Sequence, residues 1–265
     1  MNSIMISKLR QKQIAQQISA GKRLDGRGLT EYRPITIETG IIEKAEGSAR
    51  VRLGKTEVMV GVKIGLGEPF PDRPDEGVLT VNSEFVPLAS PEFEAGPPSE
   101  ESVELARIVD RGIRESKAID LMKLCIIQGK KVFVVFIDIY VLNHDGNLID
   151  ASALASLAAL IDSKIYKYEV RDGDVVKKPG YDPLPIQNYP IAVTFADISG
   201  KLVVDPWLDE EEVMDARITL SFDKDGKICA VQKGGSGMLT PQQVIEAAIT
   251  GREKAEYLRR MVVKD

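Results

Sequence analysis

Histidine, cysteine and tryptophan are nearly missing from this chain of 265 residues, which has one His, two Cys and one Trp. A lone His144 leaves no room for a metal site built on several imidazoles or for a relay of them. Cys125 and Cys229 cannot make a disulfide framework or a multi-cysteine zinc centre, and their apolar neighbours mark them as core residues. Long apolar runs are lacking as well. Stretches such as Val132–Ile137 are far too short to cross a bilayer. Residues 1–20 mix Lys8, Arg10 and Lys12 with glutamines instead of an apolar run, so a cytoplasmic protein with no membrane partner is expected. An excess of positive charge is also absent. The 35 Lys+Arg against 40 Asp+Glu give a net charge of −5, which argues against coating duplex DNA but leaves room for a local basic patch. Hydrophobic residues make up 43% of the chain, enough for a packed core in one large or two modest domains.

Periodicity then orders the chain. Ile6, Leu9, Ile14 and Ile18 predict a helix from Met5 to Ala20, stopped by Gly21. Ile35/Ile37, Ala49/Val51/Leu53 and Val58 to Ile64 alternate as strands do, and Val78–Val86 and Lys131–Leu142 read the same way. Residues 68–77 and 87–98 are proline-rich loops. Ser99, followed by Glu100 and Glu101, caps a helix expected to run to about Asp120. His144-Asp145-Gly146-Asn147 is a turn before an alanine-rich helix expected over 149–166, and Asp172-Gly173-Asp174 marks a short hairpin. Four prolines make 178–190 the linker candidate. Short strands follow, and a last helix is capped by Thr240, Pro241 and Gln243. Strands and helices in this order predict an α+β fold of two consecutive mixed-sheet modules with packed helices, 1–183 and 184–265.

Three places carry charge or glycine in patterns that suit chemistry. At about 100° per residue, Arg107, Arg111 and Arg114 fall within about 60° of one another, opposite Leu105, Ile108, Val109 and Ile113. Such a stripe aims guanidinium forks at phosphate oxygens, or else is a solvated face laced to Glu104, Asp110 and Glu115. The acids from Asp205 through Asp209, Glu210, Glu211 and Glu212 to Asp215 suit a magnesium ion or a general acid, or equally a solvated loop. Gly234-Gly235-Ser236-Gly237 before the final helix suits an anion cradle or a flexible turn. His144 beside Asp145 reads as turn polarity or as a general base.

Arg23-Leu-Asp-Gly-Arg27, Gly47-Ser-Ala-Arg-Val51, Val81-Asn82-Ser83 and the Asp145-Gly146 turn together resemble the RNase PH family, over nearly the whole chain from about Lys22. Within it, Asp205-Pro206 followed by Glu211-Glu212-Val-Met-Asp215-Ala-Arg217, and the helix before the Arg-Leu-Asp-Gly-Arg motif, resemble the non-catalytic ring subunit of the archaeal exosome. The resemblance implies the RNase PH fold. It also implies a role in phosphorolytic 3′→5′ degradation of RNA, in which active members use inorganic phosphate and a divalent metal to release a nucleoside diphosphate. Their phosphate site opens the helix after the Asp-Gly turn with a Gly-Ser/Thr-Arg motif.

In this chain that place reads Asn147-Leu148-Ile149-Asp150, without the arginine and with Asp150 expected to repel phosphate. Of the two acids that assist the reaction, Asp215 matches one and Glu211 only loosely stands for the other. The resemblance therefore implies no catalytic residue and no metal on this chain. Phosphate and Mg would act at the site of a catalytic RNase PH-like paralogue, the two alternating in a hexameric ring with RNA-binding cap proteins. Arg107, Arg111 and Arg114 match the helix that contacts single-stranded RNA beside the partner's active site. The alternatives are an active phosphorolytic exoribonuclease and a small-molecule phosphotransferase.

Overall fold

The computed structural model describes residues 8–171 and 173–263. Helix α1 (Lys8–Ser19) buries Ile14 and Ile18, and the Met5–Ser7 part of the expected helix lies outside the described residues. Strands β1 (Ile35–Thr39), β2 (Gly47–Leu53), β3 (Thr56–Gly67), β4 (Val78–Phe85), β5 (Cys125–Ile127) and β6 (Lys131–Asn143) form one sheet. Its order is β1-β2-β3-β6-β4, with β5 added to β6, and only the β4–β6 pair is parallel. Along β3 every second residue, Thr56 to Ile64, is buried, which is the period-two pattern of a sheet with one covered face. A second sheet joins β9 (Ile191–Ile198), β10 (Lys201–Val204), β11 (Ala216–Phe222) and β12 (Ile228–Gly234) in the antiparallel order β10-β9-β11-β12.

Helix α3 (Leu148–Asp162) lies between the sheets, and twelve of its fifteen residues are buried. A helix apolar all round must be enclosed, and its many alanines let both sheets approach closely. Buried side chains of both sheets therefore form one continuous apolar cluster. The N-terminal helix has its own small cluster on β9 and β10, with Ala196, Ile198 and Val203.

Four boundaries differ from the sequence reading. Helix α2 (Glu100–Glu115) stops short of Asp120, because Lys117 is left-handed (φ 53°). There the Ala118 N–H reaches the Ile113 carbonyl at 3.0 Å and the Lys117 N–H reaches the Arg114 carbonyl at 3.0 Å, which closes the helix end. Helix α3 ends at Asp162, and 164–166 begin strand β7 (Lys164–Arg171), where Tyr166 and Tyr168 each meet the Phe133 ring edge-on at 5.3 Å. Residues 178–183 are not linker but part of strand β8 (Asp174–Pro183). Among the described residues this strand pairs only with β7, and an edge strand tolerates Pro179 and Pro183. The turn residue Asp172 lies outside the described residues. Residues 205–215 contain a short helix, α4 (Leu208–Glu211). Cys125 and Cys229 are half-buried rather than core.

Helix α5 (Pro241–Val262) is capped by Thr240 and Gln243 as the sequence predicts. Its internal Gly251 has a packing cause, since a Cβ there would lie 2.8 Å from the Phe222 ring. Gly251→Ala is expected to cost about 1–3 kcal/mol through overpacking, outweighing the gain in helix propensity of about 1 kcal/mol. A melting temperature at or above that of the unmodified chain would contradict this.

Candidate functional site

Helix α2 begins where Ser99 accepts a hydrogen bond from the Ser102 N–H at 3.2 Å, with Glu100 and Glu101 at its positive end. Leu105, Ile108, Val109 and Ile113 face the core, which turns Arg107 and Arg111 outward. Both are exposed, and among the described residues neither makes a hydrogen bond or ion pair. Arg114 is different. It is half-buried, holds Asp110 at 2.7 and 3.0 Å and donates to the Leu79 carbonyl at 3.1 Å, so its fork is committed to the fold. Of the other acids able to lace this face, Glu104 instead reaches Arg217 on β11 at 2.8 Å.

At the start of α3, Asn147 is left-handed (φ 50°) and caps the helix. Its amide donates to Asp205 at 2.8 Å and to Asp150 at 3.0 Å. Asp150 is 3% exposed. It accepts from the Tyr32 hydroxyl at 2.7 Å, the Thr194 hydroxyl at 2.7 Å and the Thr194 N–H at 3.1 Å. Its carboxyl therefore turns inward to β9, away from the ground in front of the helix. Burial pushes its pKa up to about 6, against the pull of these donors.

The group that does meet the helix start is Glu211, whose Oε1 accepts the Asn147 N–H at 2.9 Å. Burial pushes the Glu211 carboxyl up to about 7, although Arg217 and Arg33 pull it down. Glu211, Arg217, His144, Leu148 and Ile149 line a cavity of about 980 Å³ that continues between α2 and the 87–98 loop. His144 stacks on Phe93 with ring centroids 5.5 Å apart, and burial lowers its pKa.

The acidic stretch is not one solvated loop, because Asp205 and Glu210 are buried while Glu212 and Asp215 are exposed. Asp205 is fully buried, forked by Arg33 at 2.7 and 2.9 Å and reached by Arg27 at 2.9 Å. Glu210 is buried against Arg23, which also donates to the Val204 and Asp205 carbonyls at 2.8 Å. Asp209 pairs with Arg10, whose guanidinium lies over the Trp207 ring. Asp205 and Glu210 face inward because buried arginines from the 23–33 segment need counter-charges. Asp215 is exposed and accepts the Ser199 N–H at 3.4 Å. Among the described residues no three His, Cys, Asp or Glu side chains converge. With their oxygens taken by arginines, Asp205 and Glu210 have no free face for a divalent ion. Gly237 brings backbone close to backbone, its N–H on the Asp215 carbonyl at 2.7 Å, so the glycine run serves packing rather than an anion.

Both modules match the domains of one known family. The 3′ exoribonuclease family, domain 1 (RNase PH), matches residues 31–166, and its domain 2 matches residues 188–254. The chain belongs to the RNase PH family. Its α+β architecture, two main sheets and the β7–β8 hairpin, is the RNase PH fold. It is 55% identical to exosome complex component Rrp42 of Thermococcus gammatolerans over 253 residues, covering 95% of this chain and 93% of that one. It is 51% identical to exosome complex component Rrp42 of Methanothermobacter thermautotrophicus over 255 residues, covering 96% and 94%. Among solved structures, a chain of the Archaeoglobus fulgidus exosome with RNA bound to the active site superposes with a TM-score of 0.88 at 45% identity, over 95% of this chain and 97% of that one. Among the described residues no helix is long and apolar enough to cross a membrane.

The sequence reading missed Tyr32, Arg33 and Thr194, which lock the two RNase PH modules together around Asp150 and Asp205. One signal was present: Asp205 directly follows the apolar Val203-Val204, so a buried cation had to meet it.

The Asp150 shift has a consequence for stability. The folded chain holds this proton more tightly than the unfolded chain does, so stability falls as pH rises from near 3.8 through about 6. The expected fall is on the order of 3 kcal/mol. Asp150→Asn, with its amide nitrogen turned to the Thr194 hydroxyl, is expected to flatten that part of the profile. Denaturant titrations at several pH values measure it, and an unchanged slope in the variant would rule the assignment out.

Proposed function

We propose that this chain is the non-catalytic ring subunit of an archaeal exosome, a phosphorolytic 3′→5′ exoribonuclease. It alternates with a catalytic RNase PH-like paralogue in a hexameric ring that carries RNA-binding cap proteins and works in the cytoplasm. Its domains meet at about Pro183. The observation that carries this reading is the contrast between two faces of one fold. Arg107 and Arg111 stand exposed without partners among the described residues, while Glu211, which stands for one of the two reaction acids, is engaged with the start of α3 within the chain.

Exposed guanidiniums hold the backbone of single-stranded RNA without reading its sequence, and so position the RNA end for the neighbouring subunit. Inorganic phosphate and Mg belong to that neighbour's site. Arg114 lends its charge to this face but is held by Asp110. The relatives named as Rrp42 and the RNA-bound exosome structure support the same reading.

The test is reconstitution. The chain alone, given RNA, phosphate and Mg, is expected to release no nucleoside diphosphate, and addition of the catalytic paralogue is expected to restore release. Release by the isolated chain overturns the proposal.

A further inference from the structure

Helix α2 packs on strand β12 beside Arg111, and a small recess opens between them. Ile108, Arg111, Thr219, Ser221, Ala230 and Gln232 help to line it, and its volume is about 10 Å³. That is the room of about one water molecule or one hydroxyl group. Strand register explains which side chains meet there. Ser221 lies opposite Ala230 and Thr219 opposite Gln232, and residues directly opposite share a face of the sheet. This face looks toward the helices: the Thr219 hydroxyl lies 2.9 Å from that of Thr194, which donates to Asp150 of α3. Above Ser221 stands Gly112 of α2, where a Cβ would come within 3.3 Å of the Ser221 Oγ.

Three polar groups around the recess lack partners. Ser221 is 4% exposed, yet its hydroxyl makes no hydrogen bond among the described residues. Buried hydroxyls are ordinarily paired, so this one points to something the site receives. The Gln232 amide, half-buried, and the exposed Arg111 guanidinium are equally without partners among the described residues. Thr219 is satisfied through Thr194, and Arg114 is held by Asp110. Strand β12 ends the second sheet, so a ligand can approach from its outer side.

We infer that this recess takes the ribose 2′-hydroxyl of the nucleotide whose phosphate Arg111 holds, with Gln232 and Ser221 as its hydrogen-bond partners. The inference rests on the reading of the α2 arginines as an RNA face, and it adds the group on this chain that tells RNA from DNA. Size excludes a phosphate or a base from the recess. The 2′-hydroxyl both donates and accepts, and so do an amide and a serine hydroxyl. Every RNA nucleotide carries this group and no DNA nucleotide does, so the contact selects RNA without reading its sequence.

The experiment uses the ring reconstituted with the catalytic paralogue, in buffer free of phosphate so that RNA is bound without phosphorolysis. Affinities for a single-stranded RNA and for DNA of the same sequence are compared at low salt, where backbone contacts keep both bound. Gln232→Leu and Ser221→Ala are each expected to weaken RNA binding about three- to tenfold and to leave DNA binding unchanged. Neither side chain holds the fold through a hydrogen bond, so melting temperatures should stay at or above that of the unmodified ring, and two variants guard against one misfolding. Equal losses for RNA and DNA, or no loss for RNA in either folded variant, overturn the inference. A loss confined to one of the homopolymeric RNAs also overturns it, since Gln232 would then read a base edge. Arg107→Glu with Arg111→Glu is expected to weaken RNA and DNA alike. Unchanged binding in that ring defeats the functional reading, whereas an effect there with none at Gln232 and Ser221 defeats only the ribose contact.

Discussion

Reversing the charge of Arg107 and Arg111 together is expected to leave the fold and the assembled ring intact and to weaken RNA binding by the complex about tenfold to hundredfold. The two side chains are exposed and pair with no group among the described residues, so their replacement by Glu breaks no interaction that holds the fold. Hydrogen bonds to charged groups are worth about 1.5–3 kcal/mol each, and solvent exposure keeps the sum toward the low end. Every arginine–phosphate pair removed lowers the salt slope of binding to a single strand by about 0.7, so the double variant should show a slope shallower by about 1.4. The gap between variant and unmodified complex should therefore narrow as salt rises. Arg114→Glu is the contrast. It sets a carboxylate against Asp110 and leaves the Leu79 carbonyl without its donor, so its effect should appear in thermal melts. Unchanged affinity and slope in an intact Arg107/Arg111 variant ring would remove these arginines from the RNA path.

Asp205→Ala is expected to be the most destabilising single change at the polar centre, at about 3–5 kcal/mol. The carboxylate is fully buried and receives five hydrogen bonds: three from Arg33 at 2.7, 2.9 and 2.9 Å, one from Arg27 at 2.9 Å and one from Asn147 at 2.8 Å. Its pKa is held below the usual carboxylate range despite the burial that opposes it, with Arg33 the main cause of the lowering. Truncation leaves the buried Arg33 guanidinium with only the more distant Asp145 carboxylate, at 3.5 Å, and this penalty exceeds the worth of the pair itself. A cycle combining Asp205→Leu with Arg33→Met separates the two. The double variant should recover much of the loss, because an apolar pair of similar volume replaces the ions. Chemical denaturation measures each corner of the cycle. Equal and additive losses at both positions would show that Arg33 and Asp205 act independently.

The elements were largely legible from side-chain period. Val58, Val60, Val62 and Ile64 alternate because one face of β3 is covered, and Thr240-Pro241-Gln243 caps α5 because those side chains saturate the helix's own first N–H groups. These are local rules, acting over a few residues. The misread boundaries were decided at a distance. Residues 178–183 hold prolines yet form β8, because the partner strand β7 supplies pairing on one edge and leaves the other open. The α2 arginines were legible as a stripe, but which of them is free was not. Arg114 is tied down by a carbonyl 35 positions away at Leu79.

By itself the sequence determined the α+β class, the RNase PH resemblance, the outward stripe of Arg107 and Arg111 and the missing arginine at the start of α3, since each depends on residue identity and short spacing. Only the tertiary structure decided where the charges go. Asp150 turns inward, Asp205 binds arginines from the far end of the chain, and Glu211 takes the helix start. A carboxylate's role is set by which donors and how much water surround it, and those neighbours lie tens to hundreds of residues away, brought together only when both sheets close on α3.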